Sequence, residues 1–123
     1  MQARVNLHFT KFMIEQIRSY CLSKNKVSES FPFDDTTLVF KVHNKMFALL
    51  SLDKDPLQMN LKCDPEKAIE LREEFHQVIP GYHSNKKHWN TIILEDIDPN
   101  LIFSWIDHSY QLVWNNLPKK LKE

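Results

Sequence analysis

The chain has 123 residues, 42% apolar and 26% charged, with one glycine, two cysteines and sixteen basic against sixteen acidic side chains. That length predicts a single domain over residues 1–123 with one core, and no apolar run approaches the roughly 18–20 residues of a membrane span. The zero formal balance excludes a uniformly basic nucleic-acid binder and leaves a segregated basic face as the only route to that function.

In chain order, Phe12, Met13, Ile17, Tyr20 and Cys21 recur at helical spacing and predict a first helix over residues 9–24, capped by Thr10 and ended by a left-handed Asn25. Residues 27–33 alternate weakly and run into Phe31-Pro32-Phe33. They read as a short edge strand or extended segment, because Pro32 cannot donate to a ladder. Residues 38–42 and 45–50 flank His43-Asn44 and predict a hairpin. Asn44 tolerates a positive φ there; His43 suits the turn less well. After the polar loop Asp53-Lys54-Asp55-Pro56, residues 58–63 form a third strand.

Asp64, Pro65 and Glu66 supply the cap, first position and first-turn acid of a second helix with the apolar stripe Ala68, Leu71, Phe75. Pro80-Gly81 suits the centre of a type II turn, where glycine takes φ > 0. Residues 89–94 then form a strand. Asp98-Pro99 starts a last helix to about residue 116. Its apolar set, from Leu101 and Trp105 to Val113 with Tyr110 and Trp114 further round, is wider than one face needs and predicts contact on two sides. The order helix–strands–helix–strand–helix predicts an α+β fold, an antiparallel β-sheet with helices packed on one face.

Several blocks carry a resemblance: Phe31-Pro32-Phe33, 38–42 with 45–48, Asn60-Leu61-Lys62-Cys63-Asp64-Pro65-Glu66, Leu71-Arg72-Glu73, Pro80-Gly81-Tyr82-His83 with 85–89, and Ser109-Tyr110. In this order they resemble the MmcQ/YjbR family. The resemblance implies a CyaY/frataxin-like fold and the double-wing label, in which β-hairpins serve as wings for DNA. The chain departs from the family's pattern at His43-Asn44, where the hairpin turn is usually glycine-rich, and at Asn25-Lys26-Val27, where Pro-Gly is common.

The segment 79–90 holds the only glycine, two of six histidines, two adjacent lysines, Tyr82 and Trp89. Lys41 and Lys45 flank the hairpin turn, Lys62 lies in the third strand, and Lys86, Lys87 and His88 follow Gly81. If these meet on one face with His83, they make a DNA-binding surface in which lysines hold phosphate and aromatics stack bases. The bland alternative is solvated strand lysines and a core Trp89. The competing function is a protein-interaction or small-ligand site built from Tyr82, Asn85 and Trp89, with Tyr110 and Trp114 of the last helix as pocket wall or interface anchors. Asn85 and His88 also have a structural reading, as side chains that hold the loop.

No metal, cofactor or enzyme is implied. His83 and His88 lack a ligand spacing, and an iron-binding acidic ridge is missing from a first helix that offers Glu15 beside Lys11 and Arg18. One glycine makes no phosphate loop, and Ser84 beside His83 is no triad. Cys21 and Cys63, far apart and without a CxxC, read as free thiols of a cytoplasmic protein. No signal core opens the chain. The expected assembly is a monomer or weak homodimer.

Overall fold

The computed structural model describes residues 7–81 and 85–123. Helix α1 (Leu7–Leu22) leads into strands β1 (Val27–Ser30), β2 (Thr37–Val42), β3 (Lys45–Ser51) and β4 (Gln58–Lys62). Helix α2 (Pro65–Glu74), strands β5 (Val78–Pro80) and β6 (Trp89–Ile93), helix α3 (Pro99–Asn115) and a short 3-10 turn (Lys119–Lys122) complete it. The strands form one antiparallel sheet in the order β1-β2-β3-β4-β6-β5. This is the α+β arrangement read from the sequence. Among the described residues no helix is long and apolar enough to cross a membrane.

The core explains the layering. Strand β4 alternates cleanly, with Met59 and Leu61 buried between Gln58, Asn60 and Lys62. Met59 and Leu61 join Phe40, Leu50 and Ile92 in one cluster with Met13, Ile17 and Cys21 of α1 and Ile102, Trp105 and Ile106 of α3. Phe75, after α2, sets its ring edge-on against Trp105 at 5.2 Å. Polar ties fix α1 in place. Arg18 grips Glu29 of β1 through Nε at 2.7 Å and Nη2 at 2.5 Å. Tyr20 Oη and Lys24 Nζ both donate to Asp107 of α3, at 2.6 and 2.5 Å. The bond to Asp107, with burial, pushes the Tyr20 hydroxyl up to about 12.

Both proline-started helices form as expected: Asp64 Oδ2 accepts from Lys67 N and Asp98 Oδ1 from Asn100 N. His43 and Asn44 take φ of 48° and 66°, so the tight turn forms in spite of the histidine, with both central residues left-handed. Four expectations need correction. Helix α1 starts at Leu7, which leaves Thr10 inside it rather than at its cap. The left-handed residue after α1 is Lys26, at φ 63°, not Asn25. Strand β1 stops at Ser30, before Phe31-Pro32-Phe33.

The fourth concerns Pro80-Gly81. Pro80 ends an edge strand, β5, where a missing N–H costs no ladder bond. Gly81 has no positive φ, so no type II turn forms. The glycine is needed for closeness instead. A Cβ there would lie 3.0 Å from both Cβ and O of Trp89, and its N–H donates to that same oxygen at 3.0 Å.

Candidate nucleic-acid interface

The register places the chemistry-bearing loops at one end of the sheet. Val27 pairs with Val42, Val42 with Lys45, Lys62 with Trp89 and Pro80 with Asn90. The α1–β1 link, the His43-Asn44 turn, the start of α2, Gly81 and residues 85–88 therefore share this end. The C-terminal tail joins them, because Lys26 Nζ donates to the carbonyls of Leu121 and Glu123. The links 31–36, 52–57 and 94–98 lie at the opposite end.

This topology separates charge that the composition hides. The far-end links carry Asp34 and Asp35, Asp53 and Asp55, then Glu95, Asp96 and Asp98, against Lys54 alone. The near end carries Lys24 and Lys26, Lys86 and Lys87, the tail lysines 119, 120 and 122, and the strand lysines Lys41, Lys45 and Lys62. Its links and tail add Asp64 and Glu123, and the first turn of α2 adds Glu66 and Lys67, which cancel. A neutral chain thus has one basic pole and one acidic pole, the condition under which zero net charge permits a phosphate surface. Among the described residues Lys41, Lys45, Lys62 and Lys87 have no carboxylate partner; Lys24 is paired with Asp107.

At the basic pole the sheet splits. The β3–β4 ladder ends at Ala48 with Leu61, next to a register shift that makes Phe47 an extra residue in β3. Fully buried Ser109 of α3 inserts there. Its Oγ donates to Phe47 O at 2.5 Å and accepts from Lys62 N at 2.9 Å, closing both strands' open backbone groups. Beyond this wedge two adjoining hollows open along the end of α3. One of about 360 Å³ is lined by Lys45, Met46, Lys62, Trp89, Val113 and Asn116, with Leu117 and Pro118. The other, of about 400 Å³, runs from Lys62 and Trp89 past Asn85, His88, Leu112 and Asn116 to Cys63, Asp64 and Pro65.

Residues 85–88, which border this groove, are well tied. Asn85 Oδ1 accepts from Lys87 N, and Asn85 O accepts from His88 N and Trp89 N. Cys63 N donates to His88 O at 2.7 Å. Arg72 of α2 reaches across to Asn90 Oδ1 at 2.7 Å and Lys86 O at 3.3 Å, and Asn90 Nδ2 donates to Ala68 O. From α3, His108 Nε2 accepts from Asp64 N at 3.2 Å. Burial, with Lys67 nearby, holds that imidazole below its ordinary value. Burial also pushes the Cys63 thiol up to about 11 and Cys21 up to about 12, so neither is an activated nucleophile.

Of the residues singled out in the sequence, Lys45, Lys62, Asn85, His88 and Trp89 meet in the groove. Lys41 lies beside it, opposite Met46, and Lys86 and Lys87 stand exposed on its rim loop. Tyr82 and His83 lie outside the described residues. Tyr110 and Trp114 line neither hollow. Tyr110 meets Phe47 edge-on and donates its hydroxyl to Asn25 O, while Trp114 stacks on Tyr110 near His43. Trp89 is half-buried at the groove, not a core residue. Sequence reasoning gave no site role to Ser109, Arg72, Asn90 or Asn116. Asn90, a polar residue inside an apolar strand, was the signal that something buried needed its amide.

Comparison with known proteins places the chain. The YjbR family model matches residues 22–112. The chain belongs to the YjbR family. The YjbR protein of Escherichia coli K12 is 32% identical over 111 residues, which cover 89% of this chain and 94% of that one. YbdF of Escherichia coli O157:H7 is 36% identical over 91 residues, 73% and 75% of the two chains. The crystal structure of Deinococcus radiodurans protein DR2400, a DUF419 domain, superposes with a TM-score of 0.84 at 40% identity, covering 89% of this chain and 84% of that one. A Pseudomonas syringae protein follows at 0.69 and 28%, covering 80% and 96%. These YjbR-family names carry no activity, so function rests on the geometry of the basic pole.

Proposed function

We propose that this YjbR-family chain is a nucleic-acid-binding module that grips the phosphate backbone of DNA with the basic pole of its sheet. The observation that carries the reading is the separation of charge between the two sheet ends. Lys41, Lys45, Lys62, Lys86 and Lys87 contact phosphate and set position rather than sequence. His88 adds a hydrogen-bonding side chain at the groove. The whole chain acts as one binding module rather than an enzyme. Its high thiol pKa values fit that role, and a cytoplasmic location goes with it.

The test is fluorescence anisotropy of labelled DNA at about 50 and 200 mM salt. Binding that weakens steeply with salt is expected. The double change Lys86→Ala, Lys87→Ala should weaken binding to all sequences alike and flatten the salt slope by about two. Charge reversal at an acidic-pole residue, Asp53→Lys, should leave the slope unchanged. An absence of binding at the lower salt would sink the reading and turn the search to protein or small-molecule partners of the groove.

A further inference from the structure

We infer that the split end of the sheet is a subsite for one unpaired base of a single strand, stacked on Trp89 with its phosphate against Lys62; this rests on the nucleic-acid reading above.

The shape argues for a nucleotide. The two adjoining hollows share Lys62, Trp89 and Asn116, and each has about 360–400 Å³, within the roughly 300–1,000 Å³ of clefts that hold small molecules. A duplex keeps its base faces inside the stack, so only an unpaired or extruded base presents a face to an indole in such a cleft. Trp89 is suited to this. It is half-buried, paired with Lys62 across β4–β6, and its Cβ is held by the close approach of Gly81.

The chemistry of the walls argues for the same ligand. Lys45 and Lys62 bring two ammonium groups with no carboxylate partner among the described residues. The acid in the lining, Asp64, is engaged with Lys67 N at the cap of α2. Asn116 contributes an exposed carboxamide that makes no hydrogen bond among the described residues, and Asn85 keeps its amide N–H groups while Oδ1 holds Lys87 N. An aromatic platform, cations and free amides together match a base, its phosphate and its polar edge. A strand is favoured over a free nucleotide because the lysines continue past the groove to Lys41, Lys87 and the tail, further than one phosphate reaches.

The experiment compares a short single-stranded oligonucleotide, its duplex and AMP by anisotropy or competition, with tryptophan emission recorded in parallel. Single strand should bind more tightly than duplex and quench Trp89, and Trp89→Phe should remove the quench while keeping most of the affinity. Trp89→Ala should lose about tenfold or more for single strand with the salt slope unchanged, whereas Lys62→Ala should lower the slope by about one. Thermal unfolding checks each variant; if Trp89→Ala does not fold, the Trp89→Phe quench and the Lys62→Ala slope decide. Equal binding of both DNA forms without quenching would overturn the base subsite and leave the phosphate surface standing. AMP binding as tight as the oligonucleotide would overturn the strand. No binding of either DNA form at low salt would overturn both readings.

Discussion

The Oγ of Ser109 accepts the backbone N–H of Lys62 at 2.9 Å, and this bond shapes the basic pole. Where the β3–β4 ladder ends, two neighbouring strands need a replacement for their lost partner. A hydroxyl from α3 serves both, donating to Phe47 O and accepting from Lys62 N. A carbon side chain at 109 would satisfy neither. The wedge allows β3 and β4 to part, and the parting makes the groove.

Ser109→Ala therefore leaves two backbone groups without a partner, Phe47 O buried and Lys62 N partly buried. The expected cost is about 1–3 kcal/mol, read as a lower midpoint in urea with an unchanged slope. The amides of Lys62 and Cys63 should also exchange faster with solvent than those of Met59 or Leu61. An alanine variant as stable as the parent would mean that water replaces the hydroxyl, and that the wedge is not what holds the strands.

Gly81→Ala tests closeness rather than turn conformation. Because φ at Gly81 is not positive, alanine meets no backbone penalty. It meets Trp89, with the new Cβ at 3.0 Å from Trp89 Cβ and O. Relief requires β5 and β6 to move apart and lengthens the Gly81 N to Trp89 O bond. Such overpacking costs about 1–3 kcal/mol, and the Trp89 emission maximum should shift as the ring moves. A neutral effect on both stability and emission would contradict the close approach.

Arg72→Ala should loosen the rim loop without melting the sheet. Its guanidinium ties α2 to Asn90 Oδ1 and Lys86 O. Hydrogen bonds to a charged group contribute about 1.5–3 kcal/mol when sheltered, and this one is only partly so; about 1.5 kcal/mol is expected. Limited proteolysis near Lys86-Lys87 should speed up more than global unfolding does. Cleavage that merely follows global stability would show the tie to be dispensable for the loop.

These contacts mark where the sequence stops being legible. Local rules found the caps at Asp64 and Asp98 because a cap is decided within four residues, and the hairpin because Asn44 sits between two apolar runs. They failed at Val78–Pro80. That strand has three residues, too few for a period, and the Pro-Gly signal there reflects an edge strand and a close neighbour instead of a turn. The lysines were visible as a list, but the neutral total concealed their grouping, which depends on strand order. Lys62 meets Trp89 only because β4 lies beside β6. Tyr110 and Trp114 looked available because an excess of aromatics on a helix signals a partner. Within the chain Tyr110 meets Phe47 and Asn25, and Trp114 meets Tyr110 and His43.

His108 gives a pH prediction. Its Nε2 accepts from Asp64 N, which a neutral imidazole can do and an imidazolium cannot. Burial, then Lys67, lowers its folded pKa below the ordinary 6.5, and Asp64 opposes this without reversing it. A histidine depressed on folding adds stability that is fully present above its unfolded value. That stability is lost as pH falls from about 6.5 through the folded value. His108→Gln keeps an acceptor and cannot titrate. Between about pH 7 and 5, above the range where exposed carboxylates titrate, the parent's Tm should fall more steeply than that of His108→Gln, and the difference between the two curves isolates His108 from the other histidines. Parallel curves over that window would show that protonation of His108 is not resisted by the fold, and that the Asp64 contact does not depend on a neutral ring.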